Sequence, residues 1–276
     1  MAAPTSAAAR RVRRTASVDR AARAAGIAVA TAAVVAMLAP VLLTVLVSFS
    51  GEDYFAFPPE SWGLRQYREL FADPVWGPAL RLSLEVAATV AVLAVAIAVP
   101  EAFAIQRSRL PGRHALYAAG LAGMVIPIAA FAVALYGVLS ELGLRRTYTG
   151  LVLANATLAV PVVLIVVTAA ISRLPVTLEL VAMTAGASRL RASLGITVRL
   201  LAPAIAAGAA LAFVTSFEEA VLVNFVGGAE QTTLPKAILE SARFGTSPVI
   251  TAIATLLMAA TGLLAVAAAR VAGGRR

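Results

Sequence analysis

The sequence predicts an all-α polytopic membrane protein with six spans, and three observations predict it. The 276 residues are 61% hydrophobic and 13% charged, with a mean hydropathy of +0.89. A soluble domain carries about 45–50% apolar and about 25% charged residues. The apolar residues gather in unbroken runs of about 20 or more, the length that crosses a bilayer as a helix, and not in the short alternating segments of a membrane barrel. The basic residues crowd into alternate segments between the runs, the asymmetry that sets membrane orientation. Such hydrophobicity also excludes a disordered chain.

The elements follow in order. Met1–Arg23 is Ala-rich and carries Arg10, Arg11, Arg13, Arg14, Arg20 and Arg23 against Asp19 alone. Residues 1–25 therefore read as a basic cytoplasmic tail without regular structure. Gly26–Val47 contains no charge. It is longer than the apolar core of a signal peptide and ends in Val47-Ser-Phe-Ser50, so it reads as a retained first span. Five more runs lie near Leu82–Ile105, Ala115–Leu139, Thr149–Ile171, Leu200–Phe225 and Pro248–Ala269. Pro100, Pro127, Pro161 and Pro203 fall inside or near them, and proline is tolerated in a span where neighbours satisfy the freed carbonyl. Residues 26–271 form one transmembrane domain with a long polar loop at 172–199, and 272–276 form a short cytoplasmic end. No internal repeat is visible.

With the N-terminus inside, sixteen of the 23 basic residues fall on the cytoplasmic side, including Arg107, Arg109, Arg113, Arg173, Arg189, Arg191 and Arg199. Arg65, Arg68, Arg81, Arg145, Arg146, Lys236 and Arg243 fall outside, with Glu52, Asp53, Glu60, Glu69, Asp73, Glu141, Glu230 and Glu240. Both termini are thus expected in the cytoplasm. The net charge of +9 belongs to the inner face; membrane lipid is an expected partner and nucleic acid is not. The absence of cysteine excludes disulfides and thiolate chemistry, and His114 is the single histidine. A P-loop needs a Gly-Lys-Ser/Thr run. The only lysine, Lys236, stands between Pro235 and Ala237, so this chain has no such site.

The loop at 172–199 is too polar to span and too regular for a random connection. Thr177 can cap a helix on which Leu178, Val181, Ala182 and Ala185 share a face. Gly186-Ala187-Ser188 makes a small-residue turn, and a second short helix carries Arg189, Arg191 and Leu194. By spacing alone this is equally an interfacial amphipathic helix.

The stretch resembles the cytoplasmic coupling loop of permease subunits in binding-protein-dependent ABC importers. That family's pattern is Glu-Ala-Ala, three residues, Gly, nine residues, then Ile-x-Leu-Pro. With its Gly on Gly186, its Ile falls on Ile196. Its Glu falls on Leu180, with Glu179 one residue early, and its Leu-Pro pair falls on Val198-Arg199. Val47-Ser-Phe-Ser50, Trp62-Gly-Leu-Arg-Gln-Tyr-Arg-Glu-Leu-Phe71, Ser216-Phe-Glu-Glu-Ala220, Thr233-Leu-Pro235 and Ser247-Pro248 resemble, in the same order, the spermidine/putrescine branch, and its second permease more than its first.

The resemblance implies a six-helix permease domain of the MetI-like fold in a bacterial inner membrane. It implies a second permease subunit, a dimer of cytoplasmic ABC ATPases and an external substrate-binding protein as partners. It implies a transport subunit and not an enzyme, with no cofactor bound by this chain and ATP held on the partner. The coupling residues it implies are Glu179, Ala182, Ala185, Gly186, Ala187, Ser188 and Ile196, with Glu179→Ala expected to cost less than Gly186→Leu because the family position is Leu180. The cargo it implies is a polyamine; iron(III), an opine or a phosphonate stays within the same family. A secondary transporter would more often show repeats, and a scaffold without transport would not bind an ATPase.

A carboxylate near the bilayer centre costs about 2.5–3.5 kcal/mol, so it is a functional candidate. Glu218 and Glu219 fall in the outward part of the fifth span, after Ser216. They read either as a lining for a cationic substrate or as structural carboxylates bonded to a neighbouring helix. Neighbours on one helix point about 100° apart, so the two are expected to differ, with Glu218 favoured for the pathway. Glu85 pairs on paper with Arg81 at i, i+4, and Glu101 with Arg107 or a partner subunit. Asn224 is a candidate interhelical bond, Trp62 and Trp76 are candidate interfacial or outer-loop anchors, and His114 reads as a surface residue.

Overall fold

The computed structural model describes residues 6–108, 110–228, 231–244 and 247–273. Arg109 and Glu230, which enter the charge asymmetry, lie outside the described residues, as does most of the end segment 272–276. Among the described residues the chain forms twelve α-helices. They are α1 (Ser6–Ser48), α2 (Arg65–Ala72), α3 (Trp76–Arg107), α4 (Arg113–Val125), α5 (Ile128–Glu141), α6 (Tyr148–Ser172), α7 (Thr177–Thr184), α8 (Arg189–Ala192), α9 (Arg199–Phe217), α10 (Val221–Val226), α11 (Leu234–Phe244) and α12 (Val249–Gly273). A π-helical turn, Ser193–Val198, joins α8 to α9. The helices group into two compact units, Met1–Ala72 with Thr246–Arg276, and Asp73–Gly245.

The larger unit is built on α3, α6 and α9, which pack on one another. Ala87, Val90, Ala94, Ala98 and Ala102 recur every third or fourth residue along α3 and are fully buried. Val90, Ala94, Ala98 and Ala102 share one core with Leu151, Val163, Leu164 and Val167 of α6, and with Leu201 and Ala212 of α9. In a bilayer no water drives helices together, so small side chains that let backbones approach supply the packing. Gly208 shows this: a Cβ there would sit 3.2 Å from Val163 Cγ1. Thr147 starts α6 by accepting a hydrogen bond from the Gly150 amide at 3.0 Å, an ordinary N-cap.

Two of the expected spans are broken. The run Ala115–Leu139 is not one helix; α4 and α5 meet at 108°. Pro127 causes the break. It pushes the preceding residue out of the helical region, and Ile126 is extended at φ −80, ψ 134. The run Leu200–Phe225 begins earlier, through the π turn, and its helix ends at Phe217; α10 is a separate short helix. Among the described residues four helices are long and apolar enough to cross a bilayer: Arg23–Ser48, Trp76–Arg107, Tyr148–Ser172 and the continuous Arg189–Phe217. The bent α4–α5 pair makes a fifth if it counts as one span, and the apolar stretch Val249–Leu263 of α12 is shorter. The expected six are not reached by that measure.

The smaller unit contains α1, α2 and α12, with α12 packed on the other two. The stretch expected to lack structure is helical from Ser6. Alanine is the best helix former and arginine follows closely, so an Ala/Arg-rich segment extends the span's helix toward its N-terminus. Further along α1, Met37 is 74% exposed and Val29 70%, as suits a helix surrounded by lipid. After α1 the chain folds back on itself: the Gly51 amide donates to Ser61 O at 3.0 Å and the Gly63 amide to Phe49 O at 2.7 Å. Glu52 sits in the fold, accepting from the Ser50 hydroxyl and from the Ser61 amide and hydroxyl. The Ser50 bond foremost, with those from Ser61, holds the Glu52 carboxyl below the usual carboxylate range. The buried Gln66 of α2 donates to the carbonyls of Ser50 and Glu52 at 3.2 and 2.6 Å.

Candidate functional site

The loop after α6 is organised around a buried acid. Glu179, in the first turn of α7, is 6% exposed. Its Oε1 accepts from the Thr197 hydroxyl at 2.5 Å and from Arg107 Nε at 3.3 Å. Arg107, at the end of α3, also donates to Leu174 O at 2.8 Å, and Arg189 donates to Arg107 O at 2.7 Å. The π-helical turn carries Thr197, which is buried. One carboxylate thus joins α7 to the π turn and to the end of α3. Arg107 is spoken for by Glu179, and no ion pair joins it to Glu101 among the described residues.

Gly186 ends α7. Its φ is +93, and the Gly186 amide donates to Met183 O while the Ala187 amide donates to Ala182 O, both at 3.0 Å. This is the Schellman arrangement, which favours glycine at the left-handed position after the cap, here Ala185. A Cβ on Gly186 would meet nothing within 4 Å, so the turn faces open space. Ser188 then caps α8, accepting from the Arg191 amide at 3.3 Å. Ile196 lies half-buried in the π turn. The structure brings Glu179, Ala182, Ala185, Gly186, Ala187, Ser188 and Ile196 into one helix–turn–helix feature. Its apolar side chains are exposed: Val181 is 67% exposed, and Leu178, Leu180, Met183, Leu190 and Leu194 are exposed too. Exposed apolar side chains gathered on one feature are the kind of surface that meets a partner or lipid.

At the other end of α9 the two carboxylates take different positions. Glu218 is the C-cap of α9 and is exposed. Glu219 is buried, and its Oε1 accepts from the Leu222 amide at 2.8 Å, so its negative charge sits at the start of α10, where the exposed amides favour it. Ser216 is buried and donates to Asn155 Oδ1 at 3.4 Å; Asn155, 1% exposed, donates to Leu151 O at 2.9 Å. Ser216, Glu218 and Glu219 therefore surround a break in the helix and do not lie on a continuous span.

Other sequence expectations resolve as follows. Arg81 donates to Glu85 at 2.7 Å, the i, i+4 pair. Trp62 is 63% exposed, whereas Trp76 is buried at the start of α3. His114 is exposed. Asn155 makes the interhelical bond, and Asn224 is half-buried in α10. Arg107, Thr197 and Asn155 were missed by sequence reasoning. Arg107 carried a signal: Glu179 is, with Asp19, one of only two acids expected inside outside the spans, and a lone acid calls for a nearby cation.

Residues 102–275 match the protein family described as "Binding-protein-dependent transport system inner membrane component". The putrescine transport system permease protein PotI of Escherichia coli (strain K12) is 29% identical over 235 residues, covering 83% of each chain. The spermidine/putrescine transport system permease protein PotC of Haemophilus influenzae (strain ATCC 51907 / DSM 11121 / KW20 / Rd) is 26% identical over 79% of this chain and 85% of its own. The trehalose transport system permease protein SugB of Mycobacterium tuberculosis (strain CDC 1551 / Oshkosh) is 27% identical over 65% of this chain and 66% of its own. The fold is also that of a chain in the crystal structure of a bacterial ABC transporter involved in the import of the acidic polysaccharide alginate. There the TM-score is 0.73 at 14% identity, over 92% of this chain and 97% of that one.

Proposed function

Because the chain belongs to the family of binding-protein-dependent transport system inner membrane components, we propose that it is the permease subunit of an ATP-driven importer of polyamines. The observation that carries the cargo is the exposed carboxylate of Glu218 at the α9–α10 break, beside the buried Glu219. A polyamine carries several ammonium groups, and a cation leaving water needs compensating charge along its path. The relatives named for putrescine and spermidine transport support the same cargo. A neutral solute is the second reading, favoured by the trehalose permease relative; a neutral cargo has no use for Glu218.

In this reading the apolar patch around Gly186 receives a cytoplasmic ATPase, a second permease completes the pathway and an external binding protein delivers the cargo. The Glu179–Arg107 bond makes the loop move with α3, so ATPase closure reaches a core helix of the larger unit directly. Reporter fusions at Ala272 and within 172–199 are expected to read cytoplasmic, and fusions near Glu60 external. An external signal from 172–199 overturns both the orientation and the ATPase contact.

The cargo is tested by spermidine uptake into vesicles holding the assembled complex. Glu218→Gln is expected to lower maximal uptake about tenfold, equivalent to roughly 1.4 kcal/mol of barrier. Apparent affinity should stay near parental, because external capture belongs to the binding protein. Glu219→Gln should instead lower thermal stability through the weakened α10 cap, by about 1 kcal/mol. Parental uptake of spermidine by Glu218→Gln removes the local chemical support for a polyamine.

A further inference from the structure

We propose, resting on the polyamine reading above, that Glu101 is a second station for a substrate ammonium group, set in a cavity at the α4–α5 break. Glu101 lies on α3 six residues before Arg107, about 9 Å along the helix at 1.5 Å per residue, and so within the membrane-spanning segment. Its side chain is half-buried, and among the described residues no hydrogen bond or ion pair reaches it. The basic side chain nearest on α3, Arg107, is held by Glu179 and Leu174. An ionisable group inside a span faces a pathway or a partner as a rule, and Glu101 has no hydrogen-bond or ion-pair partner among the described residues of this unit.

What surrounds it is built to leave room. Glu101 lines a cavity of about 450 Å³ with Ile97, Gly120, Gly123, Phe131, Thr157 and Pro161. A Cβ on Gly120 would collide with Glu101 Oε1 and with Leu164, and a Cβ on Gly123 would come within 2.5 Å of Thr157 O. Glycines at 120 and 123 thus keep space for the carboxylate and bring α4 against α6. Pro161 has no amide hydrogen to give the Thr157 carbonyl one turn earlier, and both residues line the same cavity. An ammonium group has three donors; a carboxylate and a freed carbonyl are the acceptors it seeks.

The broken span points the same way. Gly123 on α4 and Phe131 on α5 both line the cavity, on either side of the 108° bend. Non-helical backbone at membrane depth is tolerated where it is buried in protein or lines a water-filled cavity, and transporters place substrate sites at discontinuous helices. Glu101 lies toward the loop end of α3, whose Arg107 binds Glu179, whereas Glu218 lies at the end of α9 away from that loop. The two carboxylates stand toward opposite ends of the pathway, so an ammonium group released at one meets a compensating charge at the other.

The test uses the full complex of this permease with its ATPase, second permease and binding protein in proteoliposomes. Radiolabelled spermidine uptake and ATP hydrolysis without binding protein are read together. Glu101→Gln should lower uptake at least tenfold while assembly and basal ATP hydrolysis stay parental, and Glu101→Asp should restore at least half. In the parental complex, spermidine should slow carbodiimide labelling of Glu101, read by mass spectrometry of its peptide, and trehalose should not. Parental uptake by Glu101→Gln, or labelling indifferent to spermidine, overturns the station alone if the parental complex carries spermidine. A parental complex that carries no spermidine overturns the cargo and the station together.

Discussion

Glu179→Ala is expected to dismantle the loop after α6, at a cost of about 3–5 kcal/mol, the range for removing one partner of a buried ion pair. The size follows from what is left behind. Glu179 is 6% exposed, and its side chain binds both Arg107 and Thr197. Without it the Arg107 guanidinium, itself 11% exposed, keeps one carbonyl and loses its counter-charge. Thr197 loses the acceptor of its 2.5 Å bond. The mutant should unfold at a lower temperature in detergent, co-purify poorly with the ATPase and lose uptake. Glu179→Gln should lose less, because an amide still accepts from Thr197. Arg107→Ala combined with Glu179→Ala should cost less than the two singles added, since both remove the same interaction. A Glu179→Ala protein with parental melting and parental ATPase association would mean that the loop is held by its apolar contacts. For stability, though not for uptake, this reverses the expected ranking taken from the sequence, which assigned Glu179 the smaller effect.

The reversal shows where sequence information stops. The spans that became α3 and α6 were legible because hydropathy reports the solvent around a segment, and lipid is uniform along a helix. The same uniformity hides backbone breaks. Pro127 splits the third run, yet Pro161 and Pro203 remain inside unbroken helices, so proline alone does not decide. Burial does not decide either: α6 is buried for much of its length, yet Pro40 lies inside α1, whose unbroken span is exposed. Glu218 and Glu219 were legible as a pair but were placed on one continuous helix. The helix ends at Phe217, just before them, and the Glu219 carboxylate accepts from the Leu222 amide in the first turn of α10. The partners of Glu179 lie 72 and 18 residues away, and no local pattern encodes such a contact. Family spacing did place the turn correctly: Gly186 is where the helix ends and the surface opens.

Gly186→Leu is expected to abolish uptake, and its cause can be separated into strain and obstruction. At φ +93 a side chain other than glycine costs about 1–2 kcal/mol from backbone sterics, which is too little by itself to unfold the protein. The space above the turn is empty, so a leucine there would project outward from a loop on which Val181, Met183 and Leu190 are exposed already. It would make the surface bulge where the proposed ATPase contact lies. Asparagine tolerates the left-handed conformation, so Gly186→Asn adds bulk with little strain, and Gly186→Ala adds strain with little bulk. If obstruction decides, ATPase association should fall from Ala to Asn to Leu, with Leu lowest. If strain decides, Asn should be the mildest of the three. Each variant is read by the ATPase recovered with the permease from membranes and by uptake per assembled complex. Parental association and uptake in Gly186→Leu would show that the patch around α7 meets lipid, and that force from the ATPase enters the permease elsewhere.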